Sequence, residues 1–211
     1  DASMFELVPE VIVFPKDSKD VQDLVKFVDK NKAVSPDLSI TARSAGTDMS
    51  GAAIGQSIVI DFMRYFNTVG TVTKDEANVQ PGVFYRDFEA ETLKKHAIMP
   101  SFPASRDLCA VGGMVANNAG GEKSLQYGKT EEFINELQVI FADGNEYTVR
   151  PLTKKDLDKK IAQNDYEGHI YKKIFDLVDK NYEAIKAAKP HVSKDSTGYH
   201  LWNIWDRDTG I

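Results

Sequence analysis

Two stretches of this sequence place their chemistry on the backbone more than on side chains. The first runs Ala42, Arg43, Ser44, Ala45, Gly46, Thr47, Asp48, Met49, Ser50, Gly51. Small residues let a ligand approach the main chain closely, and successive free N–H groups form a concave nest for an anion. Ser44, Thr47 and Ser50 add hydroxyl donors suited to phosphate oxygens. The glycine spacing does not fit the strand–turn–helix fingerprint of dinucleotide binding, and no helix is expected after Gly46. A Walker A loop is excluded, since no Gly-Lys-Ser/Thr follows. On spacing alone, a plain flexible loop is the simpler account.

The second stretch runs Pro103, Ala104, Ser105, Arg106, Asp107, Leu108, Cys109, Ala110, Val111, Gly112, Gly113, Met114, Val115, Ala116, Asn117, Asn118, Ala119, Gly120, Gly121. So many small residues without a hydrophobic period are expected to make poor core. Such backbone is expected to pass a flat, bulky group or an anion. Asn117 and Asn118 tolerate left-handed conformations or donate amide hydrogen bonds. The alternative is an ordinary long loop. Its length counts against that, because long structureless loops inside domains are uncommon unless functional.

Side-chain chemistry is sparse. His96, His169, His191 and His200 lack ligand spacing with one another or with a carboxylate cluster, so no metal site is expected. His96 reads as a helix-end residue and His200 is the one histidine beside a motif. Cys109 reads as a small buried thiol filling space. Tyr199, Trp202 and Trp205 read as an aromatic cluster that packs as core.

The elements that must position these stretches follow from periodicity. Residues 11–15 read as a buried strand stopped by Pro15, and Asp17 to Asp20 offers an N-cap for a helix reaching Lys32. Strands are expected at 39–43 and 57–61, so β-α-β-loop-β makes a small α/β lobe with the first stretch inside it. Residues 68–73 and 76–79 read as a hairpin broken by Gln80, Pro81, Gly82 and Val83. A helix is expected over 84–96 with Phe88 and Leu93 inward, and 97–130 shows little periodicity. Residues 134–141 and 146–149 read as strands joined through Asp143 and Gly144. From 151 to 189 the chain turns lysine-rich, with Ile170, Ile174, Leu177, Val178 and Ile185 marking helical faces. It reads as a solvated helix pair stopped by Pro190.

Composition bounds the rest. The 211 residues are 42% hydrophobic and 27% charged, as in a globular protein that buries roughly 70% of its unfolded surface. A net charge of −6 argues against nucleic acid as a partner. No run of about 18 apolar residues exists, so no transmembrane segment is expected. No secretory signal opens the chain, and one cysteine excludes a disulfide framework and fits a reducing compartment. The expected location is cytoplasmic, with peripheral attachment to the inner face of the membrane as its variant. Asp1 is not an initiator, and both ends read as cuts through a longer protein.

Taken in order, four motifs resemble a known family: 43–51, then Gln80-Pro81-Gly82-Val83, then 111–121, then Tyr127-Gly128. Together they are similar to the FAD-binding domain of the vanillyl-alcohol oxidase / p-cresol methylhydroxylase (PCMH-type) superfamily. Within it they resemble the FAD-linked oxidases typified by D-lactate dehydrogenase and the glycolate oxidase flavoprotein subunit. The strand–turn 137–144 fits the same group. The resemblance covers about residues 5–150, and more loosely Lys194 to Leu201 with Ser196, Thr197, Gly198 and Tyr199.

That resemblance implies an α+β, two-lobed fold: a small βαββ lobe over 1–70, then a larger mixed lobe over 71–211 with an antiparallel sheet and a lysine-rich helical insertion at about 151–190. It implies FAD lying between the lobes. The contacts would come from Arg43, Ser44, Ala45, Gly46, Thr47, Asp48, Ser50, Gly51, Pro81, Gly82, Ser105, Gly112, Gly113, Asn117, Gly120 and Gly121. Ile134 would meet adenine through its main chain. The first loop lacks the histidine that some members use for covalent attachment, so non-covalent FAD is expected. Gln126 stands where that branch often has an arginine before Tyr-Gly.

The implied reaction is oxidation of a small 2-hydroxy acid by an FAD-dependent oxidoreductase, with hydride transfer to flavin N5. The base and the substrate-binding arginines belong in this family to a C-terminal cap domain outside this sequence, so this piece alone is expected to bind FAD without turnover. An iron–sulfur or other electron-transfer partner is a further implied component. Two rival readings are a flavin reductase of the peptidoglycan-precursor type and a non-catalytic flavin- or nucleotide-binding subunit. Cys109-Ala110-Val111 stands where the reductase normally carries Pro-Gly.

Overall fold

A computed structural model describes residues 3–192, 195 and 198–210. Its chain divides into two compact units: residues 1–134 with 140–146, and residues 135–139 with 147–211.

The first unit opens with a parallel sheet. Strands β1 (Val11–Val13), β2 (Ile40–Arg43) and β3 (Ile58–Asp61) pair in the order β1-β3-β2. Val11 and Ile40 both face Ile58, while Arg43 faces Asp61. A central parallel strand is covered on both faces, which explains the unbroken apolar run Ile58, Val59, Ile60, all buried. Helix α1 (Ser18–Asn31) links β1 to β2, its first turn capped by Asp17, which accepts from the Asp20 N–H at 3.0 Å. Between β2 and β3 the chain returns through residues 44–57 without a helix or strand. A crossover between adjacent parallel strands usually carries a helix. Here irregular backbone takes that place, at the carboxyl end of β2.

Strands β4 (Val69–Val72) and β5 (Ala77–Val79) then pair antiparallel, with a register shift between Val69 and Val72. Helix α2 (Tyr85–Leu93) follows, and the short helices α3 (Val111–Ala116) and α4 (Ser124–Tyr127) lie within the segment that showed little periodicity. Here the structure corrects the sequence reading. Cys109, Val111, Met114 and Ala119 join Val83, Tyr85, Phe88 and Phe102 in one buried cluster, so the small-residue stretch does supply core. The hydrophobic period Val111, Met114, Val115 spans barely one turn and is diluted by two glycines, too short to register as a helix. Leu93 is also corrected. It is 53% exposed in the last turn of α2, and His96 just beyond takes a left-handed φ of 57°.

Strands β6 (Leu137–Ile140) and β7 (Glu146–Val149) pair as a two-stranded sheet, most of each strand in the second unit and the turn between them in the first. Gly144 in the turn has φ +71°, the left-handed conformation that an Asp-Gly turn selects. Three helices follow where a pair was expected: α5 (Lys154–Ile161), α6 (Tyr166–Lys180) and α7 (Tyr182–Ala187). Asn181 breaks the run between α6 and α7. Leu157, Val178 and Trp205 form the core, with the Trp205 ring edge-on to Phe175 at 5.3 Å. The aromatic residues do not form one cluster: Trp202 stacks on His200 at 5.2 Å, and Tyr199 is 91% exposed. Lys194, Ser196 and Thr197 lie outside the described residues. No described helix is long and apolar enough to cross a membrane.

Candidate functional site

The loop after β2 has an uncommon hydrogen-bond balance. Among the described residues, the N–H groups of Ala45, Gly46, Thr47, Asp48 and Met49 donate to no protein acceptor. Residues 45–48 are only partly exposed. Consecutive free donors around a glycine at positive φ are what a backbone anion site requires.

The neighbouring side chains shape that run. Gly46 has φ +66°, and a Cβ there would fall 2.3 Å from the Arg43 guanidinium. The arginine therefore lies directly under the turn, with its Nη1 donating to the Ala53 carbonyl at 3.4 Å. The Asp48 carboxylate accepts from the Ser50 N–H at 3.0 Å and the Ala52 N–H at 2.9 Å. Chiefly the Ala52 bond holds its carboxyl below the usual value of 3.8. Asp48 and Ser50 thus close the loop on itself. Gly51, at φ +86°, lies against the Phe5 ring.

Three of the four sequence motifs meet at one atom. The Pro81 carbonyl accepts from the Ser44 hydroxyl at 2.8 Å and from the Gly112 N–H at 2.9 Å. The Val111 N–H donates to the Val83 carbonyl at 2.9 Å, and Phe84 bridges to Ala110 antiparallel. The glycines divide by what surrounds them. A Cβ on Gly82 would fall 2.3 Å from the Phe62 carbonyl, on Gly112 2.6 Å from Pro81, and on Gly121 2.1 Å from the Phe102 carbonyl. Those three let protein backbone pass protein. Gly113 is different: its Cβ would meet only the Ser44 Cβ, at 3.9 Å. No protein contact requires a glycine there.

Helix α3 has two faces. Val111 and Met114 point into the core, while Gly113, Ala116 and Asn117 lie exposed at helical spacing. Beyond it, the N–H groups of Gly120, Gly121, Glu122 and Lys123 also lack protein acceptors among the described residues. Asn118 takes a left-handed φ of 42°, and its Oδ1 accepts from the Glu131 N–H at 3.0 Å. The hydroxyl of Thr130 donates to the Ala119 carbonyl at 2.8 Å, and the Thr130 N–H does so at 3.0 Å. These bonds anchor the 3-10 turn Thr130–Phe133, which ends at half-buried Ile134. Sequence reasoning passed over Thr130, since nothing about a threonine among charged residues signals that it is buried. Ser105 is half-buried, and its carbonyl accepts from the Leu108 and Cys109 N–H groups, both at 2.8 Å.

Burial pushes the Cys109 thiol up. Among the described residues no group of three or more His, Cys, Asp or Glu could hold a metal ion. The arrangement therefore suits a ligand with a diphosphate for the donor run and a flat portion for the small-residue face of α3. A dinucleotide cofactor such as FAD fits that description.

Comparison with known proteins bears on this reading directly. D-2-hydroxyglutarate dehydrogenase from Pantoea ananatis (strain AJ13355) is 26% identical over 211 residues, which is 99% of this chain but 20% of that protein. D-lactate dehydrogenase from Anaerostipes hadrus is 28% identical over 139 residues, 64% of this chain and 28% of that one. The chain thus spans about a fifth to a third of the relatives that it matches. Among solved structures, a chitooligosaccharide oxidase superposes with a TM-score of 0.60 at 18% identity, over 72% of this chain and 31% of its own. That likeness establishes a PCMH-type α+β fold. Residues 9–150 match the FAD binding domain family, from just before β1 to just after β7. The chain belongs to the FAD binding domain family.

Proposed function

We propose that this chain is the non-covalent FAD-binding part of an oxidoreductase that oxidises a small 2-hydroxy acid. The observation that carries the cofactor site is the run of unpartnered N–H groups at residues 45–49, set beside a glycine that no protein contact explains. Arg43, Ser44, Ala45, Gly46, Thr47 and Asp48 would cradle the diphosphate. Gly113, Asn117, Gly120 and Gly121 would lie along the cofactor, and the main chain at Ile134 would meet the adenine. Ser50, Gly51, Pro81, Gly82, Ser105 and Gly112 would hold these segments in place. We divide the domain at about residue 70: the parallel sheet is complete by Asp61, and the antiparallel hairpin begins at Val69.

The relatives' names support the substrate class, since 2-hydroxyglutarate, lactate and glycolate all carry a hydroxyl beside a carboxylate. When bound, the flavin supplies the hydride acceptor. This chain's residues bind and orient it, and their fixed donors exclude water from the diphosphate. We assign the base that takes the hydroxyl proton, and the cations that hold the substrate carboxylate, to the part of the relatives beyond the matched segment. An iron–sulfur or other electron-transfer partner would take the electrons onward, and a cytoplasmic location fits the single reduced thiol.

The test is anaerobic. The complete flavin-loaded protein should lose its visible flavin absorption on adding D-2-hydroxyglutarate or D-lactate, and acid should release the flavin. This chain by itself should hold FAD yet stay oxidised. Failure of every 2-hydroxy acid to reduce the complete protein would overturn the substrate class.

A further inference from the structure

One charged group in the first unit is buried without being part of the site just described. Glu89, 8% exposed, sits on α2 beside Phe88 and the fully buried Tyr85. Its carboxylate accepts from both Nε (3.1 Å) and Nη2 of Arg106. The Tyr85 hydroxyl donates to the Met99 carbonyl at 2.6 Å and lies 3.3 Å from Glu89 Oε1. The Arg106 guanidinium also covers the Phe102 ring at 4.5 Å. A second arginine on the same helix, Arg86, donates to the Asp107 carbonyl.

These bonds share one geometry. All run from α2 to the segment between Met99 and Cys109, which leads straight into Gly112 and Gly113. The Tyr85 N–H adds a backbone bond to the Cys109 carbonyl at 2.9 Å. Within the segment, the Ser105 carbonyl accepts from the Leu108 and Cys109 N–H groups, while Arg86 and Tyr85 hold its far end at the Asp107 and Cys109 carbonyls. The fork of Arg106 joins that turn to the helix. A bidentate pair restricts both distance and angle, as a single hydrogen bond does not. Burying a carboxylate is costly, and apolar residues of similar size often match such a pair in stability. Here only the Glu89 side is buried, the Arg106 side chain being 41% exposed, so the pair's directional fork distinguishes it more than any gain in stability.

We propose that Glu89 and Arg106 are positioning residues for the cofactor: the pair sets the 103–110 turn, and with it the start of α3, so that Gly113 presents its backbone to FAD. This rests on the assignment of those loops to FAD. The sequence around Arg106 carries no such signal, because nothing local distinguishes Glu89 from the other charged residues of α2.

The variants separate position from stability. Glu89→Leu/Arg106→Met removes the pair and keeps apolar cover on Phe102. Its apoprotein should melt within about 4 °C of the parent, while FAD affinity falls about tenfold or more. The visible spectrum of the flavin that still binds should lose resolved structure. Parent-like affinity together with an unchanged spectrum would show the pair to be packing alone. If the double variant does not fold, Arg106→Lys decides: it keeps the charge but not the fork, and the same weakening and spectral change are expected. Unchanged binding in that variant overturns the proposal. The parent reading fails separately, if Gly113→Ala leaves FAD affinity untouched.

Discussion

Asp48 shows how one side chain can brace the proposed diphosphate loop while its main chain stays in the cradle. Its carboxylate ties down the Ser50 and Ala52 N–H groups and leaves those of residues 45–49 pointing elsewhere. Because these bonds lower its pKa in the folded chain, their contribution is complete above the ordinary value of 3.8 and is lost as pH falls through the lowered value. FAD affinity should therefore be steady above about pH 5 and weaken more steeply in the parent than in Asp48→Asn below pH 4. Parallel titration curves for the two proteins would remove Asp48 from this role. Cys109 gives the opposite case. Its thiol is buried and pushed up by desolvation, so Ellman's reagent at pH 8 should leave the folded protein unlabelled and react fully in denaturant. Fast labelling of native protein would show that the thiol is accessible.

Among the elements, legibility tracked the strength of the local signal. The run Ile58, Val59, Ile60 announced a strand but not its central place, and Asp17 with Val21, Leu24 and Val28 announced α1. The strand expected to be buried at 11–15 is instead exposed at Val11, Ile12 and Phe14, because it lies at the sheet edge. Gln80 to Val83 was legible as a break, yet nothing local says that its Pro81 carbonyl collects Ser44 and Gly112 from two distant loops. Helix α3 was missed because a one-turn hydrophobic period interrupted by glycine carries too little signal. The same glycines look alike in sequence and differ in space. Gly121→Ala should destabilise the fold by more than about 2 kcal/mol, since its Cβ would meet the Phe102 carbonyl, and a denaturant melt reads this directly. A melt equal to that of the parent would mean that the two backbones separate at little cost.

At the scale of the molecule, family membership was legible because four motifs occur in order, and order survives where periodicity does not. What the motifs could not convey was the division of labour inside them: which glycines serve packing, and which leaves room beside the donor loop. Nor could composition show that residues 135–139 and 147–211 form a helical unit with its own core of Leu157, Val178 and Trp205. In the apoprotein, Gly113→Ala should melt at or above the parent temperature, because alanine in a helix is favoured over glycine by roughly 0.5–1 kcal/mol and its Cβ meets only Ser44. Titrating FAD into that variant measures the central claim most directly. The donor loop and the small face of α3 holding the cofactor together predict unimpaired stability with affinity lowered about tenfold or more. Unchanged affinity would contradict it.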